Sequence, residues 1–133
     1  MVITQADVEE FQLAKAAISA GVQILMEEMG VVADDISQVF IAGAFGNYIR
    51  RESFCDLGII PEMDMEQITP VGNAAGEGAK IALVSSKRLE EANSIAKKVR
   101  YIELSAHPSF RKRFIHSMFF LNRRFEDQLG IMR

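Results

Sequence analysis

The stretch Val39-Phe40-Ile41-Ala42-Gly43-Ala44-Phe45-Gly46-Asn47-Tyr48-Ile49 decides the fold of this chain. Its first four residues are apolar and include Val and Ile, so they predict a short strand that is buried on both faces. Gly43 and Gly46 then break the strand, and helix-compatible sequence follows. Because glycine lacks a Cβ, a ligand can approach the backbone amides, and a helix N-terminus behind them favours negative charge. A glycine pair at a strand end is also common in plain tight turns, so both interpretations stay open.

Length and composition indicate an ordinary globular chain. It has 133 residues, 49% of them hydrophobic and 25% charged, which suits one domain with its own core. The net charge of -3 gives no general attraction to nucleic acid or to acidic membranes, so we expect neither as a partner. The sequence has neither an apolar run near the ~20 residues of a membrane span nor a secretory signal, and we expect a cytoplasmic protein.

Metal and redox chemistry are restricted by the cysteine count. Cys55 is the single cysteine, which excludes an internal disulfide, a Cys-x-x-Cys metal site and an iron-sulfur cluster held by thiolates of this chain alone. Glu62, Asp64 and Glu66 form an acidic stretch, but no His or Cys lies beside them in the sequence. We therefore expect an exposed loop there rather than a metal site.

The N-terminal segment predicts a long helix. Thr4 can cap it, and Gly30 ends it after Met29. A set of small residues would let another element approach closely: Ala14, Ala17 and Gly21. The apolar positions recur at helical spacing and predict the core face: Val8, Phe11, Ile18, Val22, Leu25 and Met29.

Lys15 interrupts this apolar face, and Gln12 lies one turn before it. In one interpretation the lysine stem lies on apolar surface while its ammonium reaches water. In the other, Gln12 and Lys15 present a polar pair at one point of a mostly buried helix.

Further elements follow from local patterns. We expect a helix from Phe45 to about Asp56 that stops at Gly58, a short extended piece over residues 68–71, and a further strand over residues 101–104. The residues that we expect to point inward from the first of these helices are Tyr48, Ile49 and Phe54.

Three more helices are predicted in the C-terminal half. Asn73 caps one that reaches about Val84, Ser86 caps the next, and Pro108 opens the last. The second has an apolar face of Leu89, Ala92, Ile95, Ala96 and Val99, and the third has one of Phe110, Phe114 and Met118.

Two glycines near the start of the Asn73 helix are unusual. Gly76 and Gly78 each lower helix stability by up to ~1 kcal/mol relative to alanine. Their presence implies that side chains are disfavoured on that surface of the helix. Close helix packing and approach of a ligand are both adequate reasons.

Five motifs, taken in order, resemble the C-terminal part of the reductive activators of corrinoid proteins, and the similarity extends to Phe110 and the stretch Met118-Phe119-Phe120. The motifs are Ile3-Thr4-Gln5-Ala6-Asp7, Phe11-Gln12-Leu13-Ala14-Lys15-Ala16-Ala17-Ile18, Ile41-Ala42-Gly43-Ala44-Phe45-Gly46, Leu57-Gly58-Ile59-Ile60-Pro61 and Val71-Gly72-Asn73-Ala74-Ala75-Gly76-Glu77-Gly78-Ala79.

The resemblance implies an α/β fold class, namely a helix-rich fragment of the ribonuclease H-like, actin-like ATPase fold with a small sheet. In that fold ATP lies in a cleft between two domains. Residues 1–120 would be the C-terminal nucleotide-cleft domain and residues 121–133 a C-terminal tail. The nucleotide-binding residues that the resemblance implies are Gln12, Lys15, Gly43, Ala44, Phe45, Gly46, Gly72 and Asn73.

The function implied is part of an ATP-dependent activator that reduces corrinoid proteins to the Co(I) state for methyl transfer. This chain lacks the Asp-x-Gly hairpin that grips phosphates and magnesium in the superfamily, and the cysteines for a cluster. We therefore expect weak binding of ATP and magnesium by the fragment, no catalytic residue in it, and an iron-sulfur cluster only in a missing upstream domain. The expected partners are a corrinoid protein of a methyltransferase system, the missing N-terminal domains and a second copy of the chain.

Two other functions compete with this one. A non-catalytic docking or dimerisation module would use the Phe110, Phe114 and Met118 side to bind a corrinoid or methyltransferase protein. A free-standing flavodoxin-like or dinucleotide-binding domain is disfavoured, because too few strands are predicted and the Gly-x-Gly-x-x-Gly fingerprint is absent from the sequence.

Overall fold

The computed structural model of the chain describes residues 2–43 and 48–120. It confirms a helix-rich architecture with a small sheet. The elements in chain order are α1 (Gln5–Met29), β1 (Val39–Ala42), α2 (Arg51–Asp56), β2 (Ile68–Gly72), α3 (Ala74–Val84), α4 (Ser86–Ala96) and α5 (Phe110–Met118). Short 3-10 turns lie at Ala33–Asp35, Met65–Gln67 and Leu104–Ala106.

Both ends of α1 are where the sequence predicts them. The Thr4 hydroxyl accepts from the Asp7 backbone N–H at 3.3 Å, and the Asp7 carboxylate accepts from the Thr4 N–H at 2.8 Å. This reciprocal pair satisfies helix donors that would otherwise lack partners. Gly30 ends the helix with φ of 65°, in the left-handed region that favours glycine.

The buried face of α1 differs from the predicted one. Ile18, Leu25 and Met29 are exposed, as are Ala14 and Ala17 of the small-residue set. The buried positions are Lys15, Ala16, Ser19, Ala20, Gly21 and Ile24. Helix α5 packs along α1, and small side chains let it approach closely. Helix α1 therefore buries the side that carries these small residues rather than the side with its larger hydrophobic residues.

The sheet has two parallel strands, with Val39 opposite Ile68 and Ala42 opposite Gly72. The prediction that β1 is buried on both faces is wrong, since Phe40 is 61% exposed. Within the described ranges only one face of this sheet is covered, whereas parallel sheets are normally covered on both. Pro70 lies opposite Ile41, a position that a strand at a sheet edge tolerates.

The hydrophobic core lies on the covered face of the sheet. Ile41 and Ile68 come from the strands, Phe54 from α2 and Ile59 from the turn after it. Phe11 of α1 packs against this cluster, together with Ile49 and the methionines Met63 and Met65. The segment around Glu62, predicted as a loop, therefore has exposed acidic side chains, while its methionines pack against the core.

The predicted helix from Phe45 to Asp56 is not continuous. Its first residues lie outside the described ranges, Arg50 is extended, and α2 starts at Arg51. Tyr48 is 86% exposed rather than inward, while Ile49 and Phe54 contact the core as predicted. The predicted stop is confirmed, because Gly58 has φ of 65° and its N–H donates to the Cys55 carbonyl at 2.9 Å.

The strand predicted over residues 101–104 is wrong. The Glu103 side chain instead accepts from the Ser105 backbone N–H at 3.3 Å and starts a 3-10 turn. Leu104 of that turn lies against α1, where a Cβ on Gly21 would come within 3.2 Å of Leu104 Cδ1. A local side-chain cap thus replaces ladder hydrogen bonds in a segment whose alternation suggested a strand.

Helices α3 and α4 form a pair joined at Ser85. Asn73 caps α3 as predicted, but the cap of α4 is Ser85 rather than Ser86. The apolar face predicted for α4 exists but is not buried, since Leu89 is 48%, Ile95 63% and Val99 70% exposed.

Candidate functional site

Two glycines with positive φ meet where the parallel strands end. Gly43 follows β1 with φ of 75°, and Gly72 ends β2 with φ of 57°. The Gly43 backbone N–H donates to the Gly72 carbonyl at 2.6 Å. This backbone region strains any residue with a Cβ, so glycine is required at both places. Among the residues that the structure describes, a Cβ on Gly43 would have nothing within 4 Å.

Asn73 lies directly after this corner and caps α3. Its side-chain oxygen accepts from the Gly76 backbone N–H at 3.0 Å. A Cβ on Gly76 would lie 2.4 Å from the Asn73 side-chain nitrogen, so the cap itself explains one of the two helix glycines. The N-terminus of α3 is exposed beside the two strand ends, and it carries the positive end of the helix dipole.

Gln12 and Lys15 of α1 both donate hydrogen bonds to the backbone at the C-terminal end of α5. Gln12 Nε2 donates to the Met118 carbonyl at 3.2 Å, and Lys15 Nζ donates to the Phe119 carbonyl at 2.8 Å. These consecutive carbonyls lie at the C-terminus of α5, where helix carbonyls lack partners within the helix and the dipole favours a cation. The predicted polar pair is confirmed as a pair, and its contacts are with the backbone of α5.

Lys15 is buried, with 2% of its surface exposed. The interpretation in which its ammonium reaches water is therefore wrong. Phe120 covers the ammonium at 5.1 Å from the ring centroid, and the same ring stacks on Phe11 with centroids 6.2 Å apart. Burial lowers the pKa of Lys15, because removal from water disfavours the charged form. The hydrogen bond to the Phe119 carbonyl and the face of the Phe120 ring partly replace the lost hydration of the ammonium.

The structure thus groups the predicted nucleotide residues in two places. Gly43, Gly72 and Asn73 form one corner, while Gln12 and Lys15 lie under residues 118–120. Ala44, Phe45 and Gly46 lie outside the described residues. Nucleotide binding at all eight positions stays a prediction.

Sequence reasoning missed the aromatic cover over Lys15. The signal was present, because the Met118-Phe119-Phe120 stretch belongs to the resemblance, but its contact with Phe11 joins positions more than a hundred residues apart. Only the packing of α5 on α1 reveals that contact.

Metal-binding groups and membrane spans were sought in the described residues. Across residues 2–43 and 48–120, no three side chains of His, Cys, Asp or Glu lie close enough together to hold a metal ion. Cys55 is half-buried, and burial, more than its acidic neighbours, raises the pKa of its thiol. None of the described helices has the length and apolar character that a membrane span needs.

Comparisons with known proteins agree with one another. A family model described as the C-terminal domain of RACo, the ASKHA domain, matches residues 1–129. The corrinoid activation enzyme RamQ of Eubacterium limosum is 37% identical over 90% of this chain and 20% of its own length. A [Co(II) methylated amine-specific corrinoid protein] reductase of Methanosarcina barkeri is 33% identical over 73% of this chain and 18% of its own length.

A solved structure is also similar. It is a reductive activator for a corrinoid, iron-sulfur protein, with a TM-score of 0.83 and 36% identity over 91% of this chain and 19% of that one. The chain therefore spans about a fifth of the length of the proteins it matches. From the family model and these relatives, the chain belongs to the family of C-terminal ASKHA domains of the reductive activators of corrinoid proteins.

Proposed function

We propose that this chain supplies one wall of the nucleotide cleft in an ATP-dependent activator that reduces corrinoid proteins to the Co(I) state. The observation that carries the proposal is the corner at which Gly43 and Gly72 meet beside the Asn73-capped start of α3. Two strand ends with glycine and an exposed helix N-terminus make a surface that suits an anionic nucleotide.

The corner has the chemistry that such a ligand needs. Neither Gly43 nor Gly72 has a side chain, so no Cβ would hinder a ribose or phosphate that approaches the backbone there. Glu77 in the first turn of α3 would repel a phosphate, but it pairs with Lys80 at 2.7 Å. That ion pair offsets part of the negative charge next to the corner.

Gln12 and Lys15 would contact the nucleotide only after a rearrangement. Both side chains already donate to carbonyls of residues 118 and 119, and Phe120 covers Lys15. For either to bind a ribose or an adenine, residues 118–120 must move away from α1. In this proposal the strand-end corner binds first, and the polar pair contributes only in the complete cleft.

The remaining parts of the reaction lie outside this chain. Bound ATP would supply the driving force for an unfavourable electron transfer from an iron-sulfur centre to the corrinoid cobalt. In this proposal the magnesium-binding hairpin and the cluster would lie in the four-fifths of an activator that this chain does not match. By itself the chain should not hydrolyse ATP at a useful rate.

The test is an amide NMR titration of the 133-residue chain with magnesium ADP and ATP up to millimolar concentration. Half a cleft should bind in the millimolar range, with a binding free energy of about -4 kcal/mol, which NMR can measure. We expect saturable shifts at Gly43, Gly72 and Asn73. Smaller shifts at Lys15 are expected, because its donor is already bonded to Phe119.

Gly43→Ala and Gly30→Ala form a matched pair for this titration. Both glycines have positive φ, of 75° and 65°, and a Cβ on either would have nothing within 4 Å. The two variants therefore carry the same kind of backbone strain, at the corner and at the far end of α1. Gly43→Ala should weaken the nucleotide shifts while Gly30→Ala leaves them unchanged. Equal effects, or saturable shifts confined to other residues, would contradict the proposed site.

The docking alternative has less support at the surface first considered for it. Phe110, Phe114 and Met118 are half-buried in α5, which packs on α1. The rings of Phe110 and Phe114 also contact each other at 5.7 Å between centroids. Exposed apolar surface is more extensive on α3 and α4.

A further inference from the structure

Helix α5 has two faces of different chemistry. Its inner face packs on α1 and consists of buried or half-buried residues, namely Phe110, Arg113, Phe114, Ser117 and Met118. The exposed residues form an outer face, which comprises Arg111, Lys112, Ile115, His116 and, directly after the helix, Phe119. Because the exposed positions recur every three or four residues, they lie on one continuous side of α5.

The outer face is positively charged. Arg111 and Lys112 make no ion pair or side-chain hydrogen bond with any residue that the structure describes. Arg113 of the inner face, in contrast, pairs with Glu27 at 2.6 Å. Residues 107–120 include no Asp or Glu, and the chain as a whole has a net charge of -3. A positive surface therefore lies on a molecule that is negative overall.

Apolar side chains adjoin these two cations. Ile115 is 47% and Phe119 64% exposed. Arginine and aromatic side chains together are typical of interfaces between proteins. Nucleic acid and acidic membranes are attracted mainly by positive charge, and the net charge of the chain does not favour either. The composition of the outer face thus favours a protein partner.

The unpaired charges also indicate the chemistry of that partner. Lysine and arginine are almost never fully buried unless they are paired, so an apolar surface would not cover Arg111 and Lys112 without a large loss of hydration. Carboxylates on the partner would compensate both charges through charge-assisted hydrogen bonds. The outer face therefore fits an acidic protein surface that has an apolar centre for Ile115.

We propose that the outer face of α5 docks an acidic surface of the corrinoid protein that the activator reduces. This inference rests on the proposed function, from which the identity of the partner is taken. Opposite charges speed the encounter and orient the two proteins. One face of a nine-residue helix gives a small interface, which is typical of redox partners that bind and separate repeatedly.

The test is an amide NMR titration of the 133-residue chain with the methylated amine-specific corrinoid protein of Methanosarcina barkeri, the protein for which one relative is named as a reductase. We expect saturable shifts over residues 111–119 at low salt, and weaker binding at high salt because the charges are screened. The absence of saturable shifts at low salt, or shifts confined to other residues, would overturn the proposal.

Two double variants separate a specific surface from general attraction. Arg111→Gln with Lys112→Gln removes two charges from the outer face, and Lys97→Gln with Lys98→Gln removes two from exposed positions at the end of α4. The first should raise the dissociation constant by ~3- to 10-fold and reduce its salt dependence. The second should leave both unchanged. Equal weakening by the two variants would overturn the proposal.

The apolar part of the surface has its own pair of variants. Ile115→Gln should weaken binding by ~10-fold while keeping the salt dependence, whereas Val99→Gln, at a site 70% exposed on the other side of α4, should have no effect. Duplex DNA and phosphatidylserine vesicles are titrated in parallel. If either gives the same shifts and Ile115→Gln does not weaken binding of the corrinoid protein, the surface binds polyanions and the proposal is wrong.

The nucleotide titration of the free chain is independent of these results. Arg111 and Lys112 do not belong to the corner formed by Gly43 and Gly72, so their substitution should leave the ADP and ATP shifts unchanged. Loss of docking with intact nucleotide shifts contradicts only this inference. Docking without nucleotide shifts contradicts only the nucleotide site.

Discussion

The junction of α1 with α5 buries a charged side chain, whereas the pair formed by α3 and α4 exposes aliphatic side chains. At the junction a lysine is 2% exposed, with its ammonium bonded to a helix carbonyl and covered by Phe120. In the α3 and α4 pair, Leu83 is 86% exposed. A charge lies inside and aliphatic side chains lie outside, which is the reverse of the usual distribution.

The difference separates surfaces that this chain satisfies by itself from those that it does not. Lys15 and Gln12 have their partners within the chain, on the last carbonyls of α5. Around them, Gln23 donates to Ser19 and Ser117, and Arg113 pairs with Glu27 at 2.6 Å. The polar groups of the α1 and α5 junction are therefore bonded mostly within the chain, whereas the aliphatic side chains of α3 are exposed to solvent.

The largest expected effect compares a core side chain of α1 with an exposed one of α3. Ile24 is fully buried, so Ile24→Ala should lower the free energy of unfolding by ~2–5 kcal/mol. Leu83→Ala should change it by less than ~0.5 kcal/mol, since the side chain is already in water. Urea unfolding followed by circular dichroism measures both. A Leu83→Ala cost close to that of Ile24→Ala would remove the contrast between the two regions.

The next effect concerns the charge inside the junction. Lys15→Ala removes the donor to the Phe119 carbonyl and should lower the free energy of unfolding by ~1–3 kcal/mol. Lys15→Met keeps most of the stem without a buried charge, so it should cost less. If both substitutions leave stability unchanged in urea unfolding, the ammonium does not stabilise the end of α5.

Substitution of the two glycines of α3, Gly76 and Gly78, should change the free energy of unfolding with opposite signs. Gly78→Ala should raise the free energy of unfolding of the isolated chain by up to ~1 kcal/mol, because alanine is the better helix former and the space is open. Gly76→Ala should lower it by ~0.5–2 kcal/mol, because the new Cβ displaces the Asn73 cap. Thermal unfolding distinguishes them. Destabilisation by Gly78→Ala would mean that α3 packs against something within the chain.

The smallest expected effect is a dependence on alkaline pH. The folded pKa of Lys15 is lowered from 10.5 by burial, so between that lowered pKa and 10.5 the unfolded chain binds more protons than the folded chain. Stability should therefore rise with pH across this window. The raised pKa values of Cys55 and Tyr101 make stability fall as pH rises, and they are shared by wild type and Lys15→Met. The difference in stability between wild type and Lys15→Met isolates the lysine, and a difference that is constant or falls with pH would contradict its burial as a charge.

Local signals in the sequence predicted most element boundaries. The Thr4 and Gly30 ends of α1, the Asn73 cap of α3 and the stop at Gly58 each depend on a few neighbouring residues. The strand expected over residues 101–104 failed, because a cap by Glu103 is a local interaction that an alternation pattern does not reveal.

Burial could not be predicted in the same way. Hydrophobic periodicity indicates which face of a helix would gain from burial, but a neighbour must exist for that face to be covered. For α1 the neighbour is α5, which selects the side with Ala16, Ala20 and Ile24. For α4 the predicted face is correct as a pattern and is exposed in the described chain. The candidate corner at Gly43 was visible in the sequence, but the Phe119 and Phe120 contacts of Lys15 were not.

The measurement that tests the central claim most directly is ATP-dependent corrinoid activation by a chimera. RamQ, with the fifth of its length that matches this chain replaced by this chain, is assayed for reduction of its corrinoid protein with and without ATP. The account predicts activation that requires ATP, that Gly30→Ala leaves intact, and that Gly43→Ala reduces by at least ~10-fold, the equivalent of ~1.4 kcal/mol. A folded chimera that activates equally well without ATP, or that is indifferent to Gly43→Ala, would contradict the assignment of this chain to the nucleotide cleft.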